Sequence, residues 1–294
     1  MRLGSSVSAR LRVRILELVP RYAILVLLAA LFVFPFYWML VISLGTLQSV
    51  FVFPPILYPL WHWENYLTAV GLLADPQTGQ FLHIPWPRYF LNTLVVAGGT
   101  TALVLVTSVL AGYAFASMPF PGKGVVFILV LAIYMVPTEV TLVPNFIILA
   151  NLHWIDSYQA QIVPFGASVF GIFLMRQFFL GLPNDLWEAA QLDGTGHLRF
   201  LWSIAAPLAR APMITIALFH FVAGWNAFLW PLIVTNSDAY RPVQVGLQNF
   251  SYADATNPVL HAAGSLMVTL PILIIFLLAQ RQIVGGIAAS GIRG

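Results

Sequence analysis

Six long, continuous apolar stretches dominate the chain, near 22–44, 90–113, 125–147, 160–180, 212–234 and 262–283 of its 294 residues. A helix needs roughly 20 apolar residues to cross the hydrocarbon core of a bilayer. Inside that core every backbone amide must be paired, which leaves helices or a closed barrel. The runs do not alternate apolar with polar, so a membrane barrel is not their explanation. Only 8% of the residues are charged, against about 25% in an average soluble domain. That is too few to cover a water-facing surface. An ordinary cytosolic enzyme, a disordered chain and a nucleic-acid binder are excluded. The expected fold is all-α and polytopic, with six transmembrane helices lying in a lipid bilayer.

The cations orient these helices. Arg2, Arg10, Arg12, Arg14 and Arg21 precede the first span. The apolar run after them is too long for a signal-peptide core and no small-x-small cleavage site follows, so it reads as an uncleaved first helix. With the N-terminus inside, those five arginines share their side with Lys123, Arg176, Arg199, Arg210, Arg281 and Arg293, while Arg88 and Arg241 fall outside. Eleven against two predicts N-in, C-in. Residues 1–21 then form a basic cytoplasmic tail, and 22–294 one six-helix transmembrane domain. Two outer loops are sizeable: 45–89, whose Trp61 and Trp63 suit a membrane interface, and 235–261. The turn at 114–124, with Pro119, Pro121 and Gly122, is short. The one long inner loop is 181–211.

That loop reads as a short helix, a glycine break and a second helix. Asp185 is placed to cap the first, with Glu188 three residues on. Trp187, Ala190 and Gln191 share a helical face. Gly194 and Gly196 end the helix, and 197–206 runs on to Pro207. Residue chemistry leaves two readings open. One is an amphipathic helix that anchors the loop at the interface. The other is a docking knob, with small Ala189 and Ala190 allowing close approach and Glu188 pairing with a partner cation.

One acid, Glu139, lies deep in a span, where ionisable groups are costly and are functional candidates. Around it Tyr134, Thr138, Thr141 and Asn145 are spaced as one polar stripe of a helix. Pro137 and Pro144 are expected to kink that helix and free carbonyls. Two readings stand side by side, a cavity lining that touches a hydroxyl-rich solute or helix–helix glue at a gating kink, with a proton relay through Glu139 as a third. The same choice applies in the fifth span to His220, Trp225 and Asn226. Thr93, Thr100 and Thr107 repeat every seven residues and read as a packing seam. The chain has no cysteine, and its six histidines lack metal-ligand spacing, so no metal site is expected. Lys123 follows Gly122, but Gly124 stands where a phosphate-binding loop has Ser or Thr. No catalytic constellation is visible, and no nucleotide or other cofactor is expected on this chain.

The loop resembles a family motif. Glu188-Ala189-Ala190, three residues, Gly194, nine residues, Ile204 and then Pro207 is similar to the EAA loop of bacterial ABC importer permeases. The longer run 188–196 (EAAQLDGTG) resembles the carbohydrate (CUT1, MalG-like) branch. Ala206 stands where that pattern has Leu. The segments 173–179 (FLMRQFF), 224–231 (GWNAFLWP, with Ala227 where an acid often stands), Gln280-Arg281 and 291–294 (GIRG) also resemble the branch. Asn92-Thr93 and Gly112-Tyr113-Ala114 do so more sparsely. The resemblance implies a type I importer permease fold in a prokaryotic cell membrane. It implies a transport subunit rather than an enzyme, importing a sugar or oligosaccharide. The implied partners are a second homologous permease, an extracytoplasmic solute-binding protein and two ABC ATPases, which would use the ATP and magnesium. The ATPase-coupling surface would be Trp187, Glu188, Ala189, Ala190, Asp193 and Gly194, with Glu188 the anchoring charge and Gly194 the turn. A glycerol-phosphate permease of the same family is the alternative solute class. An ion-coupled carrier would need inverted repeats and paired ion ligands, and neither is visible.

Overall fold

The computed structural model describes residues 4–76, 78–250 and 257–291, with side chains between 18 and 278 apart from Val19, Asn249 and the gaps. Arg2 and the terminal 292–294 lie outside the described residues, as do the side chains of Arg10, Arg12, Arg14, Gln280 and Arg281. The principal helices are α1 (Gly4–Ser43), α2 (Trp86–Ser117), α3 (Lys123–Ile133), α4 (Thr138–Asn151), α5 (Tyr158–Ile162), α6 (Val169–Leu180), α7 (Asn184–Leu192), α8 (His197–Phe200), α9 (Arg210–Trp225), α10 (Leu229–Val234) and α11 (Pro258–Gly291). Among the described residues there is no β-strand, only an isolated bridge between Ala74 and Phe81.

Among the described residues, three stretches are long and apolar enough to cross a membrane unaided: Pro20–Ser43, Trp86–Ser117 and Pro258–Leu278. Three further pairs qualify if each bent pair is one span. They are α3 with α4 (bent 97°), Tyr158–Phe165 with α6 (45°), and His197–Leu208 with α9 (79°). Two expectations are corrected here. The third apolar run is not one kinked helix. It stops at Ile133, because Val136 precedes Pro137, whose ring disfavours α-helical backbone before it. Pro137 itself is extended (ψ 136°). Tyr134 is therefore cut off from the stripe that Thr138, Thr141 and Asn145 continue. Pro144, by contrast, sits inside α4 without breaking it. The fifth run also divides, with α9 ending at Trp225 and α10 starting at Leu229.

By its contacts the chain forms two units, Met1–His83 with Phe250–Met267, and Ile84–Asn249 with Val268–Gly294. In the first, the end of α1 is closed by side chains. Asn65 donates Nδ2 to the carbonyls of Ser43 (3.0 Å) and Gly45 (2.8 Å), satisfying groups that a helix end leaves orphaned. The buried Ser43 hydroxyl pairs with Tyr66 Oη at 2.8 Å. Beyond it Phe51, Phe53, Tyr58, Trp61 and Trp63 are exposed. His62, 2.6 Å away, holds the Glu64 carboxyl below the usual carboxylate range.

In the second unit α2 is the centre, with α6 and α9 packed along it. Small residues set the closeness of these contacts, as expected where lipid removes the hydrophobic drive between helices. A Cβ on Gly112 would lie 2.6 Å from the Met175 Cβ, and one on Gly224 would lie 3.0 Å from the Ala97 Cα. Thr93 and Thr100 are buried on this seam, and the Thr107 hydroxyl donates to the Gly166 carbonyl at 2.8 Å. Two cations close the C-terminus of α2. Arg176 donates Nε to the Phe115 carbonyl (3.3 Å), and Lys123 donates Nζ to the carbonyls of Ala116 (3.0 Å) and Met118 (3.1 Å), where the helix dipole favours positive charge.

Candidate functional site

The long inner loop folds into α7 and α8, joined by a tight cap. Gly194 has φ +71°. Its N–H donates to the Gln191 carbonyl (2.9 Å), and the Thr195 N–H reaches back to the Ala190 carbonyl (2.9 Å). This is a Schellman motif with Gly194 at the left-handed position. The start of α7 differs from expectation. Pro183 is the N-cap residue and no side chain caps the helix. Asp185 lies one step inside, in the first turn, where its charge favours the helix N-terminus.

Of α7, Ala190 is buried and Trp187 half-buried. Both pack into a core with Val109, Tyr113, Met175, Phe179, Phe200 and Leu201. The Trp187 ring lies flat on the His197 imidazole, 4.2 Å away and 14° from parallel, and meets the Phe200 ring edge-on at 5.1 Å. His197 Nδ1 shares a 2.9 Å hydrogen bond with the Tyr113 hydroxyl. Sequence spacing did not single out His197, since its partner lies 84 positions away. Leu186, Glu188, Ala189, Gln191, Leu192 and Asp193 are exposed, Leu192 at 90%. The expected coupling set therefore divides: Trp187 and Ala190 hold the helix down, and Glu188, Ala189 and Asp193 face outward.

The opposite end of α2 is polar and closed. Asn92 is fully buried. It donates Nδ2 to the Arg241 carbonyl (2.9 Å) and accepts the Tyr158 hydroxyl on Oδ1 (2.7 Å). The Tyr89 hydroxyl donates to Asp238 Oδ1 (2.6 Å), Arg88 Nε to the Ala239 carbonyl (3.0 Å), and the Val243 N–H to Thr93 Oγ1 (2.8 Å). Asp156 Oδ1 accepts the backbone N–H groups of Asn236 (2.9 Å) and Ser237 (3.0 Å). Burial raises the Asp156 carboxyl pKa. The hydrogen bonds from Ser237 and Asn236 and the nearby Arg241 charge outweigh it and hold the group below the usual carboxylate range. Residues 235–243 are thus stitched to α2 and to the start of α5.

The expected solute-path residues do not form one lining. Tyr134, Thr138 and Glu139 are exposed, and Thr141 and Asn145 are half-buried on α4. His220, half-buried on α9, shares a 2.9 Å hydrogen bond between Nε2 and Ser168 Oγ. Asn226 is exposed beyond the end of α9 and accepts from Gln244 Nε2 at 3.3 Å. Trp225 takes the packing alternative. It is 2% exposed, and its indole N–H donates to the Val268 carbonyl at 3.2 Å. Its ring packs against Phe90 and Phe221, so it clamps helices and has no free face for a solute.

Comparison with known proteins adds the following. A family model described as "Binding-protein-dependent transport system inner membrane component" matches residues 104–283. The chain is 37% identical over 207 residues to the arabinooligosaccharides transport system permease protein AraQ of Bacillus subtilis (strain 168), covering 70% of this chain and 74% of that one. It is 31% identical over 274 residues to the sn-glycerol-3-phosphate transport system permease protein UgpE of Yersinia pestis bv. Antiqua (strain Antiqua), covering 92% and 95%. A chain from the crystal structure of a bacterial ABC transporter involved in the import of the acidic polysaccharide alginate has the same fold. Its TM-score is 0.77 at 20% identity, over 91% of this chain and 96% of that one.

Proposed function

The chain belongs to the binding-protein-dependent transport system inner membrane components, and from that premise we propose that it is the transmembrane subunit of an ATP-driven sugar or oligosaccharide importer. It forms half of the path with a second, homologous permease and lies N-in, C-in in a prokaryotic cell membrane. A solute-binding protein delivers the cargo outside, and two ABC ATPases drive the cycle inside. The observation that carries this reading is the family match across 104–283, which contains the α7–α8 loop with its exposed Glu188, Ala189 and Asp193. Those three residues contact the ATPase. Trp187, Ala190 and Gly194 fix the shape that presents them. Thr138, Glu139, Thr141 and Asn145 on α4, with His220 and Asn226, line the passage once the second permease is in place. Tyr134 marks the joint of the broken third span.

Sugar is the leading solute class because the 37% match is to an arabinooligosaccharide permease. Glycerol phosphate is the second reading, favoured by the near-complete coverage of the UgpE relative.

The test is gentle affinity purification from native membranes with every companion chain identified by mass spectrometry. A Walker-motif ATPase and a second permease are expected. The accompanying binding protein, titrated with oligosaccharides and with glycerol 3-phosphate, separates the two solute classes. A chain that purifies alone overturns the importer reading.

A further inference from the structure

The α7–α8 loop and the polar network of the second unit pack at opposite ends of one unbroken helix. α2 runs 32 residues from Trp86 to Ser117, its one proline, Pro87, confined to the first turn, which is about 48 Å of rod. Near its C-terminus stands Tyr113, 3% exposed. Near its N-terminus stand Tyr89, Asn92 and Thr93, which hold residues 235–243. We propose that Trp187, His197 and Tyr113 form a three-ring brace, and that through it the movement of α7 turns α2 and so shifts the 235–243 loop at the far end.

The argument is mechanical. α7 touches the rest of the unit through one narrow face, Trp187 and Ala190. Ala190 offers a methyl group and no directional bond. The directional contacts run through Trp187: flat on His197 at 4.2 Å and edge-on to Phe200 at 5.1 Å. His197 is then fastened to α2 by the 2.9 Å bond to the Tyr113 hydroxyl. Tyr113 is itself wedged at right angles against Phe179 of α6, ring centroids 5.7 Å apart. Next to it, Gly112 brings α2 against Met175 so closely that no side chain fits between them. Packed rings in a dense core shift between discrete arrangements rather than yielding smoothly. A displaced α7 therefore drags the His197–Tyr113 pair and α2 with it. His197 and Tyr113 act through Trp187 and α2; they are positioning residues and touch neither ATPase nor solute.

The proposal rests on the importer reading, and its test separates the two. The full importer, with permeases, ATPases and binding protein, is reconstituted in proteoliposomes. ATP hydrolysis and solute uptake are measured together for wild type, Tyr113→Phe and His197→Gln. Tyr113→Phe removes one hydroxyl and keeps the ring, so folding and assembly are retained. The expected result is ATPase co-purification and basal hydrolysis equal to wild type, with solute moved per ATP lower by about fivefold or more, the lower range of an allosteric coupling. The chain has no cysteine, so a single fluorophore at Ala239→Cys reports the far end. Its ATP-dependent signal is expected to shrink in both variants. An unchanged ratio and an unchanged signal overturn the brace. So does a parallel fall of hydrolysis and uptake, which marks a merely structural contact. A wild-type preparation without ATPase subunits overturns the importer reading instead.

Discussion

The two ends of α2 hold their loops by opposite means. At the Asn92 end, a hydrogen-bond network fixes residues 235–243: the Asn92 amide, the Tyr89 hydroxyl, the Arg88 guanidinium and the Thr93 hydroxyl meet backbone or carboxylate atoms of that loop, and the Tyr158 hydroxyl holds the Asn92 amide oxygen. At the Tyr113 end, rings and small residues hold the loop with a single side-chain hydrogen bond, and most of α7 faces outward. A directional network fixes one geometry and tolerates no slip, because a broken bond leaves a buried polar group unpaired. Aromatic packing holds α7 by one face, passes its displacement on to the rings it meets, and leaves the opposite face free for a partner. The first end suits a loop that must keep its shape. The second suits a lever.

Several substitutions break or sharpen this contrast, ranked by their effect on stability. Asn92→Ala should cost most, about 3 kcal/mol, since it strands the Tyr158 hydroxyl and the Arg241 carbonyl in the interior. Thermal unfolding in detergent, followed by intrinsic fluorescence, reads this as a clear drop in midpoint. Trp187→Ala removes two ring contacts at a half-buried site and should cost about 1–2 kcal/mol. Limited proteolysis should then cut within 181–196 while residues 235–243 stay protected. Gly194→Ala forces a side chain into the left-handed region and should cost about 1 kcal/mol, even though nothing lies within 4 Å of the new Cβ. The same midpoint measurement checks it, and a glycine-like tolerance would contradict the cap.

Asp156→Ala should cost about 1 kcal/mol at pH 7, a modest figure because solvent screens the site. The sign follows from its lowered pKa. A carboxyl depressed on folding contributes stability above its unfolded pKa, about 3.9, and loses it as pH falls through the folded value. The gap in midpoint between wild type and Asp156→Ala should thus begin to narrow as pH falls below about 4 and close only below the folded pKa. Glu188→Ala should change stability least, within about 0.5 kcal/mol, yet lose ATPase co-purification. A large stability loss there would make Glu188 part of the fold rather than of the docking face.

Much of this architecture was legible in the residues. The apolar runs announce the helices, since without the alternation of a barrel only a helix satisfies a backbone in lipid. Gly194 announces the end of α7 because only glycine takes that φ freely. What stayed hidden depends on distance along the chain. Pro137 signalled a disturbance, but the polar stripe from Tyr134 to Asn145 presupposed a continuous helix, and the break removed its first member. Trp225 had the right chemistry to stack on a sugar. Only the fold reveals that the Val268 carbonyl, 43 positions on, already takes its indole N–H. The Asn92 network joins residues up to 151 positions apart, and no local pattern encodes that convergence. His197 looked like an isolated histidine until Tyr113 and Trp187 closed on it.

The measurement that decides whether the two ends serve opposite sides and opposite roles is labelling with a membrane-impermeant maleimide. The chain lacks cysteine, so Ala189→Cys and Asn236→Cys report each end singly, and both positions are exposed. In intact cells Asn236→Cys should label and Ala189→Cys should not. After permeabilisation Ala189→Cys should label only once the ATPase subunits are stripped away. Labelling of Ala189→Cys in intact cells, or equal labelling with and without the ATPase, would contradict a cytoplasmic docking face on α7.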